Sequence, residues 1–314
     1  MTIDSVELSL IVPVFNEEEV VTLFITTVEK VLSQRQISYE LLFINDGSKD
    51  NTHEVLVELS KNNNRIKIIN LSRNFGKEQA LSAGLDFASG RAAIPIDCDL
   101  QDPPEVIIEM YDKWKEGFDV ILAKRIDRSS DGFIKRKTSA IFYDLINAVS
   151  DIDIPKNVGD FRLIDRKVID VLKTYSEKTR FMKGIFASVG FKQATVEYTR
   201  PERAAGTTSW NYLGLYKLAI EGIVSFTSVP LKIWSYVGAV VSIISFIYGI
   251  FLFARTLIWG VDLPGYTSLM VVLLVMSGLI LLSLGVIGEY ISRIFIELKG
   301  RPIYIVMDKT GFED

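Results

Sequence analysis

The chain has 314 residues, 48% hydrophobic and 24% charged, with 35 basic against 39 acidic side chains and a formal charge of −4. That balance offers no basic field for a nucleic acid, and one cysteine (Cys98) with one histidine (His53) excludes a disulfide framework, a cysteine-rich metal site and a multi-histidine centre. Any catalysis falls to carboxylates, amides, lysine and arginine, and a mean hydropathy of +0.25 beside an ordinary charge fraction requires an uneven spread of apolar residues.

The apolar run Leu8–Phe15 predicts a strand, followed by a helix with Val20, Val21, Phe24, Ile25, Val28, Val31 and Leu32 on one face. Tyr39–Asp46 predicts a second strand, leading to a helix through Val55, Leu56 and Leu59. Arg65–Ser72, a helix near Lys77–Ala88 and Ala92–Asp99 continue the alternation. Pro103 and Pro104 open another helix, and Phe118–Arg125 gives a fifth strand. Such strand–helix units build an α/β fold, a mostly parallel sheet with helices on both faces, and its ligands collect at the strands' carboxyl ends. Polar residues gather there: Asn16-Glu17, Asn45-Asp46-Gly47-Ser48, Ser72-Arg73-Asn74 and Asp97-Cys98-Asp99. Neither a G-x-G-x-x-G nor a GKS/T loop is present, which argues against dinucleotide enzymes and P-loop ATPases.

The C-terminal third is different. Asn211–Phe226 is apolar enough for an interfacial helix, and Ile233–Ala254 then runs 22 residues without a charge. As a helix that run spans roughly 33 Å, enough for a bilayer core. Leu263–Gly288 is a second run of 26 residues. These features divide the chain into a domain over 1–210, an interfacial segment over 211–231, two spans within 232–290 (about 233–254 and 265–288) and an amphipathic tail over 291–314. Trp234, Tyr236, Trp259 and Tyr290 fit aromatic belts. Lys217 and Lys232 precede the spans, and Arg293, Lys299, Arg301 and Lys309 follow them, while the link carries only Arg255. The positive-inside rule therefore puts both termini in the cytoplasm, beneath a plasma (inner) membrane crossed twice. The first residues lack the basic region of a signal peptide. In the tail, Ile291, Ile294, Phe295 and Leu298 form a stripe that predicts a surface helix stopped by Gly300 and Pro302. Gly238, Gly249, Gly278 and Gly285 permit close helix contacts, and so a homo-oligomer formed through the spans.

Asp97-x-Asp99, followed by Gln101 and Asp102, is the sharpest chemical signal. Two aspartates and an amide at a strand's end offer oxygen ligands to a hard divalent cation, Mg2+ or Mn2+, shared with substrate phosphates. The alternative is an ordinary turn in which Asp102 caps the helix that starts at Pro103-Pro104.

VPVFNEEE, INDGS, LSRNFGKEQA, IDCDLQDPP and GDFRLIDR resemble the polyprenyl-phosphate glycosyltransferases of inverting family two, which have a GT-A fold. The tail GEYISRIFIELKGRPIYIV is similar to the two-span bactoprenol glucosyltransferase branch, beside the dolichyl-phosphate mannose synthases. The resemblance implies transfer of a hexose, glucose from UDP-glucose, to a polyprenyl phosphate on the cytoplasmic face, with inversion. GDP-mannose as donor, and a catalytically silent nucleotide-sugar-binding membrane protein, are the alternatives. It also implies that Pro13, Phe15, Glu17 and Asp46 line a nucleoside pocket, with core packing the alternative for Phe15. Arg73 and Lys77 lie by the donor phosphates, and Asp97, Asp99 and Gln101 hold the cation. Arg125, Lys135 and Ser139 contact the acceptor phosphate. Arg203 belongs to a loop over the diphosphate in which Ser209 replaces the family's usual lysine. Asn157 stands where many relatives carry an acid; if that acid is the base, this copy is impaired, and Asp160 is the alternative base.

Overall fold

The computed structural model describes residues 6–126, 155, 157–175, 177–178, 180, 182–199, 229–259 and 265–312. Lys135, Ser139, Arg203 and the interfacial segment up to residue 228 lie outside the described residues. The strands are β1 (Leu8–Val14), β2 (Tyr39–Asn45), β3 (Ile66–Leu71), β4 (Ala92–Pro95), β5 (Val120–Arg125), β6 (Val158–Asp165), β7 (Gln193–Tyr198) and β8 (Val306–Thr310). They form one sheet in the order β7-β5-β6-β4-β1-β2-β3-β8. The helices are α1 (Val21–Leu32), α2 (Thr52–Lys61), α3 (Lys77–Phe87), α4 (Glu105–Lys115), α5 (Arg166–Lys173), α6 (Met182–Ser188), α7 (Val229–Trp259) and α8 (Tyr266–Leu298).

β1 pairs in parallel with β2 and β4, and β2 in parallel with β3. Because successive side chains alternate across a strand, Leu8, Leu10, Val12 and Val14 join one core with Phe24 and Val28 of α1 and with Ile107 and Met110 of α4. Phe24 meets Phe43 edge-on, ring centroids 6.1 Å apart. Ile11 points the other way onto α3, where Gly84 leaves no room for a methyl group. β6 runs antiparallel between β4 and β5, while β7 pairs in parallel with β5. The architecture is thus a GT-A-like mixed sheet, mostly parallel, and the inserted antiparallel strand carries new residues toward the carboxyl ends of β1–β4.

Two compact units are present: α7 and α8 belong to the second, and the described residues from 301 to 312 belong to the first. The tail therefore departs from its expected form. The helix does stop short of Gly300 and Pro302 as expected, but α8 reaches Leu298 without a break after the second predicted span, and Val306–Thr310 is a strand antiparallel to β3. The strand starts within the apolar run Ile303–Met307 and ends with Asp308 and Lys309 exposed, and it covers the open edge of β3. In the second unit both helices outrun the predicted spans, since neither Arg255 nor the Glu289–Arg293 pair (3.2 Å) interrupts them. Ser268–Leu298 is long and apolar enough to cross a membrane, and α7 contributes a shorter apolar stretch, Tyr236–Phe251, among the described residues. Ile243, Ile247, Leu274 and Leu281 are all exposed, an apolar surface that water does not tolerate over such lengths.

Candidate active site

Three loops at the carboxyl ends of β1, β2 and β3 are stitched together by short polar side chains. After β1 the chain turns at Asn16, in the left-handed region at φ 57°, and leaves Phe15 41% exposed, so Phe15 is no core residue. The Asn16 N–H donates to Ser48 Oγ (3.0 Å), Asn16 Oδ1 accepts from the Lys49 N–H (2.8 Å), and the Glu17 N–H donates to Thr52 Oγ1 (2.8 Å). Pro13 lies just upstream, paired with Ile44 in the sheet.

Asp46 is buried and accepts from the N–H groups of Phe75 (2.7 Å) and Gly76 (2.9 Å). Burial raises its carboxyl above the ordinary aspartate value against these two donors. The following Gly47 has φ 67°, and a side chain there would lie 2.6 Å from the Asn74 nitrogen, so the β2 and β3 loops pack backbone on backbone. Arg73 stacks its guanidinium 4.2 Å from the Phe75 ring centre. Asp46 thus holds the residues immediately before Lys77, the first residue of α3.

Lys77 stands at the centre of the acidic cluster. Its ammonium lies 2.6 Å from Asp97 Oδ1, 2.9 Å from Asp97 Oδ2 and 3.3 Å from Asp160 Oδ2. Burial lowers its pKa, but Asp97 and Asp160 outweigh that and hold the ammonium above the usual lysine value. Burial likewise pushes Asp160 up, yet Lys77, Lys183 and Arg162 keep its carboxyl below the ordinary range. Asp160 is therefore an ion-pair partner, ionised at neutral pH. Asp99 follows on the same loop, 8% exposed, and accepts from the Gln101 N–H (3.1 Å) across a turn in which Leu100 has φ 56°. No group of three or more histidine, cysteine or acidic side chains with metal-site geometry occurs among the described residues.

Arg125, expected near the acceptor phosphate, belongs to a second cluster. Its Nε donates to Tyr198 Oη (3.1 Å), the Tyr198 hydroxyl donates to Asp102 Oδ1 (2.6 Å), and Arg125 Nη2 lies 3.9 Å from Asp102. Burial, then the Asp102 charge, raises the Tyr198 phenol, so it remains a donor. Asp102 is buried under this tyrosine, and helix α4 has no side-chain cap, so the capping alternative for Asp102 is not what the chain adopts. Asn157 has φ 63°, a conformation asparagine tolerates better than most residues, and its carbonyl accepts from the Arg125 N–H (3.1 Å).

Tyr198 and Glu78 are partners that the sequence reading missed. Glu78 lies within the motif LSRNFGKEQA, but only the fold brings it beside Asp160. Burial and the Asp160 charge push its carboxyl from 4.5 up to about 7, opposed by the Met182 N–H (3.0 Å from Oε2), Lys183 and Lys77. The unfolded chain sheds this proton above about pH 4.5 while the folded chain keeps it to about 7, so folding weakens as pH climbs through that window. Glu78→Gln removes that loss. Its melting temperature relative to the parent is expected to be higher at pH 8 than at pH 5; an equal difference at both pH values contradicts the assignment.

The glycosyl transferase family 2 profile matches residues 9–172, and the GtrB C-terminal hairpin profile matches residues 229–294. The chain is 49% identical over 309 residues to the uncharacterized glycosyltransferase sll0501 of Synechocystis, covering 98% of this chain and 97% of that one. It is 49% identical over 300 residues to the SfII prophage-derived bactoprenol glucosyl transferase of Shigella flexneri, covering 96% and 97%. The prophage bactoprenol glucosyl transferase homolog of Escherichia coli is also 49% identical over 300 residues, covering 96% and 98%.

Proposed function

The chain belongs to glycosyl transferase family 2 and is membrane-associated through a GtrB-type C-terminal hairpin, and from that premise we propose that it transfers glucose from UDP-glucose to undecaprenyl phosphate with inversion at C1. The observation that carries the reading is the Lys77–Asp97–Asp160 cluster with Asp99 beside it, where β1–β4 end. It sets a fixed positive charge and a pair of loop carboxylates where a nucleoside diphosphate would leave.

The donor set suits a hard cation. Asp97 and Asp99 supply carboxylate oxygens and Gln101 an amide oxygen, with the remaining ligands left to the donor's phosphates. Bound there, Mg2+ or Mn2+ would neutralise charge developing on the leaving diphosphate. Lys77 adds a preorganised positive charge, and Asp160 keeps that ammonium in place. Arg73 extends the positive potential along the loop, and exposed Phe15 offers a ring to the base between the Glu17 and Asp46 loops.

On the acceptor side, Tyr198 and Asp102 hold the Arg125 side chain, whose guanidinium would meet the acceptor phosphate. A phosphate monoester with a second pKa near ~6 is already largely dianionic at pH 7, so its attacking oxygen needs little help from a base. Lys135, Ser139 and Arg203 enter this scheme by resemblance alone. The acceptor's isoprenoid tail stays in the bilayer because each buried CH2 contributes about 0.8 kcal/mol, so the hairpin keeps enzyme and acceptor in one layer. The basic flanks of the hairpin favour a cytoplasmic site.

Purified protein incubated with labelled UDP-glucose, Mg2+ and undecaprenyl phosphate is expected to give a chloroform-soluble glucosyl lipid. A labelled polymer, or no product from any sugar nucleotide, sinks the reading. In the same assay Asn157→Asp tests the missing acid. The phosphate needs no base, so turnover is expected to change by less than about tenfold. A rise of several hundredfold would mean that the native chain lacks its base.

A further inference from the structure

Strand β8 lies at the far end of the sequence, yet one of its side chains is wired into the loop after β2. Asn45 and Asn70 face each other across β2 and β3 and are both buried. Asn45 Nδ2 donates to Asn70 Oδ1 (2.9 Å), and Asn70 Nδ2 donates to Asp308 Oδ2 (2.8 Å), its register partner on β8. At the other end, Asn45 Oδ1 accepts from the Ser48 N–H (3.2 Å). Three side chains from three strands therefore form one line ending on the backbone of Asn45-Asp46-Gly47-Ser48.

The line has a direction, set at one end by the Ser48 N–H, which can only donate, and at the other by the Asp308 carboxylate. A buried amide can present either its oxygen or its NH2 group to a neighbour, but an ionised carboxylate only accepts. Asp308 obliges Asn70 to turn its NH2 outward and its oxygen toward Asn45. Asn45 must then turn its NH2 to Asn70 and its oxygen to the Ser48 N–H. We infer that Asp308 is a positioning residue for the nucleotide loop: it anchors the β8 end of the Asn70–Asn45 relay and thereby holds Ser48 and Asp46 in place. Ser48 Oγ in turn accepts from the Asn16 N–H, and Asp46 clamps the N–H groups of Phe75 and Gly76 ahead of Lys77. The relay reaches all three loops of the site.

β8 does not depend on Asp308 for its attachment. The Ser72 N–H donates to the Ile305 carbonyl (2.9 Å), the Tyr304 hydroxyl donates to Asp86 (2.7 Å), and Phe312 packs edge-on against Phe87 at 6.1 Å. Asp308 itself is exposed, so its truncation leaves the strand held at both ends.

The inference rests on the reading of the Asn45–Ser48 loop as part of a nucleotide site, and the experiment separates the two. UDP and GDP are titrated calorimetrically into the full-length protein in detergent, for the parent, Asp308→Ala and Asp308→Asn, with melting curves alongside. Asp308→Ala is expected to weaken binding of the preferred nucleotide by roughly five- to tenfold. Asp308→Asn, which still offers an oxygen to Asn70, should stay within about twofold of the parent. In the transfer assay Asp308→Ala should raise the donor KM by the same factor and leave kcat near the parent's. Parent-like binding by Asp308→Ala overturns the inference, as does equal loss in Asp308→Asn. A collapsed melting transition in Asp308→Ala also overturns it, in favour of a purely structural strap. If the parent binds neither nucleotide, the nucleotide-site reading itself falls and takes the relay's purpose with it.

Discussion

Asp99→Asn is expected to cut glucosyl transfer by roughly two to three orders of magnitude while the protein melts within a few degrees of the parent. The substitution is nearly isosteric, and the asparagine oxygen can still accept from the Gln101 N–H, so the left-handed turn at Leu100 keeps its hydrogen bond. What disappears is one of the two loop carboxylates that the proposed function assigns to a cation on the donor's phosphates. Removal of a single preorganised electrostatic contact at a reacting centre typically costs that much in rate, whereas exchanging one acceptor for another in a turn costs no more than about 1 kcal/mol in stability. The pairing of the two readouts is what makes the prediction sharp. A variant that folds and transfers at near-parent rate would show that Asp99 serves only its turn, and the cation would lose its second ligand. Asp99→Ala is the control: it should lose transfer as well, but also melt lower because the Gln101 N–H loses its acceptor.

How the site assembles explains what the sequence could and could not reveal. The first five strands were legible because each is a short apolar run followed by a helix with one apolar face. The loop acids were legible because Asp46, Asp97 and Asp99 fall at strand ends. The meaning of those acids was not. Lys77 is expected only beside the donor phosphates, and its pairing with Asp160 appears once β6 enters antiparallel between β4 and β5. Asp102 reads as a helix cap until Tyr198, 96 residues later, covers it. Asp308 reads as a solvated tail residue until β8 pairs with β3 and places it on Asn70, 238 residues away. Local periodicity reports only which face of an element is apolar. It carries nothing about which strand is inserted where, and these three contacts are decided by strand order. The two long apolar helices were legible from composition, but their ends were not, because a charged residue within a helix need not terminate it.

Lys77→Met is expected to abolish transfer to below about 1% of the parent rate and, unlike the Asp99 exchange, to destabilise the fold in a pH-dependent way. Methionine keeps the unbranched stem of the side chain and is one heavy atom shorter, so packing at the start of α3 changes little. The ammonium it replaces contacts both oxygens of Asp97 and one of Asp160. Without it two carboxylates face each other, and the burial that already pushes Asp160 upward goes unopposed by its largest counter-charge. In the parent, the depressed Asp160 pKa contributes stability above the unfolded value that is lost as pH falls through the folded value. In Lys77→Met the sign reverses: folding weakens as pH rises and the unfolded chain's carboxylates ionise. The pair is neither fully exposed nor fully buried, so the loss at neutral pH is about 2 kcal/mol, between the values for exposed and buried pairs. Melting curves at pH 5 and pH 8 should therefore diverge, with the variant closest to the parent in acid. Mg2+ or Mn2+ should narrow the gap at pH 8 more for the variant than for the parent, because a cation bound only by the folded state stabilises it by mass action and here meets no resident ammonium. Equal melting of the two proteins across this pH range would show that Lys77 carries no charge-balancing duty, and the centre on which the proposed chemistry depends would have to be sought elsewhere.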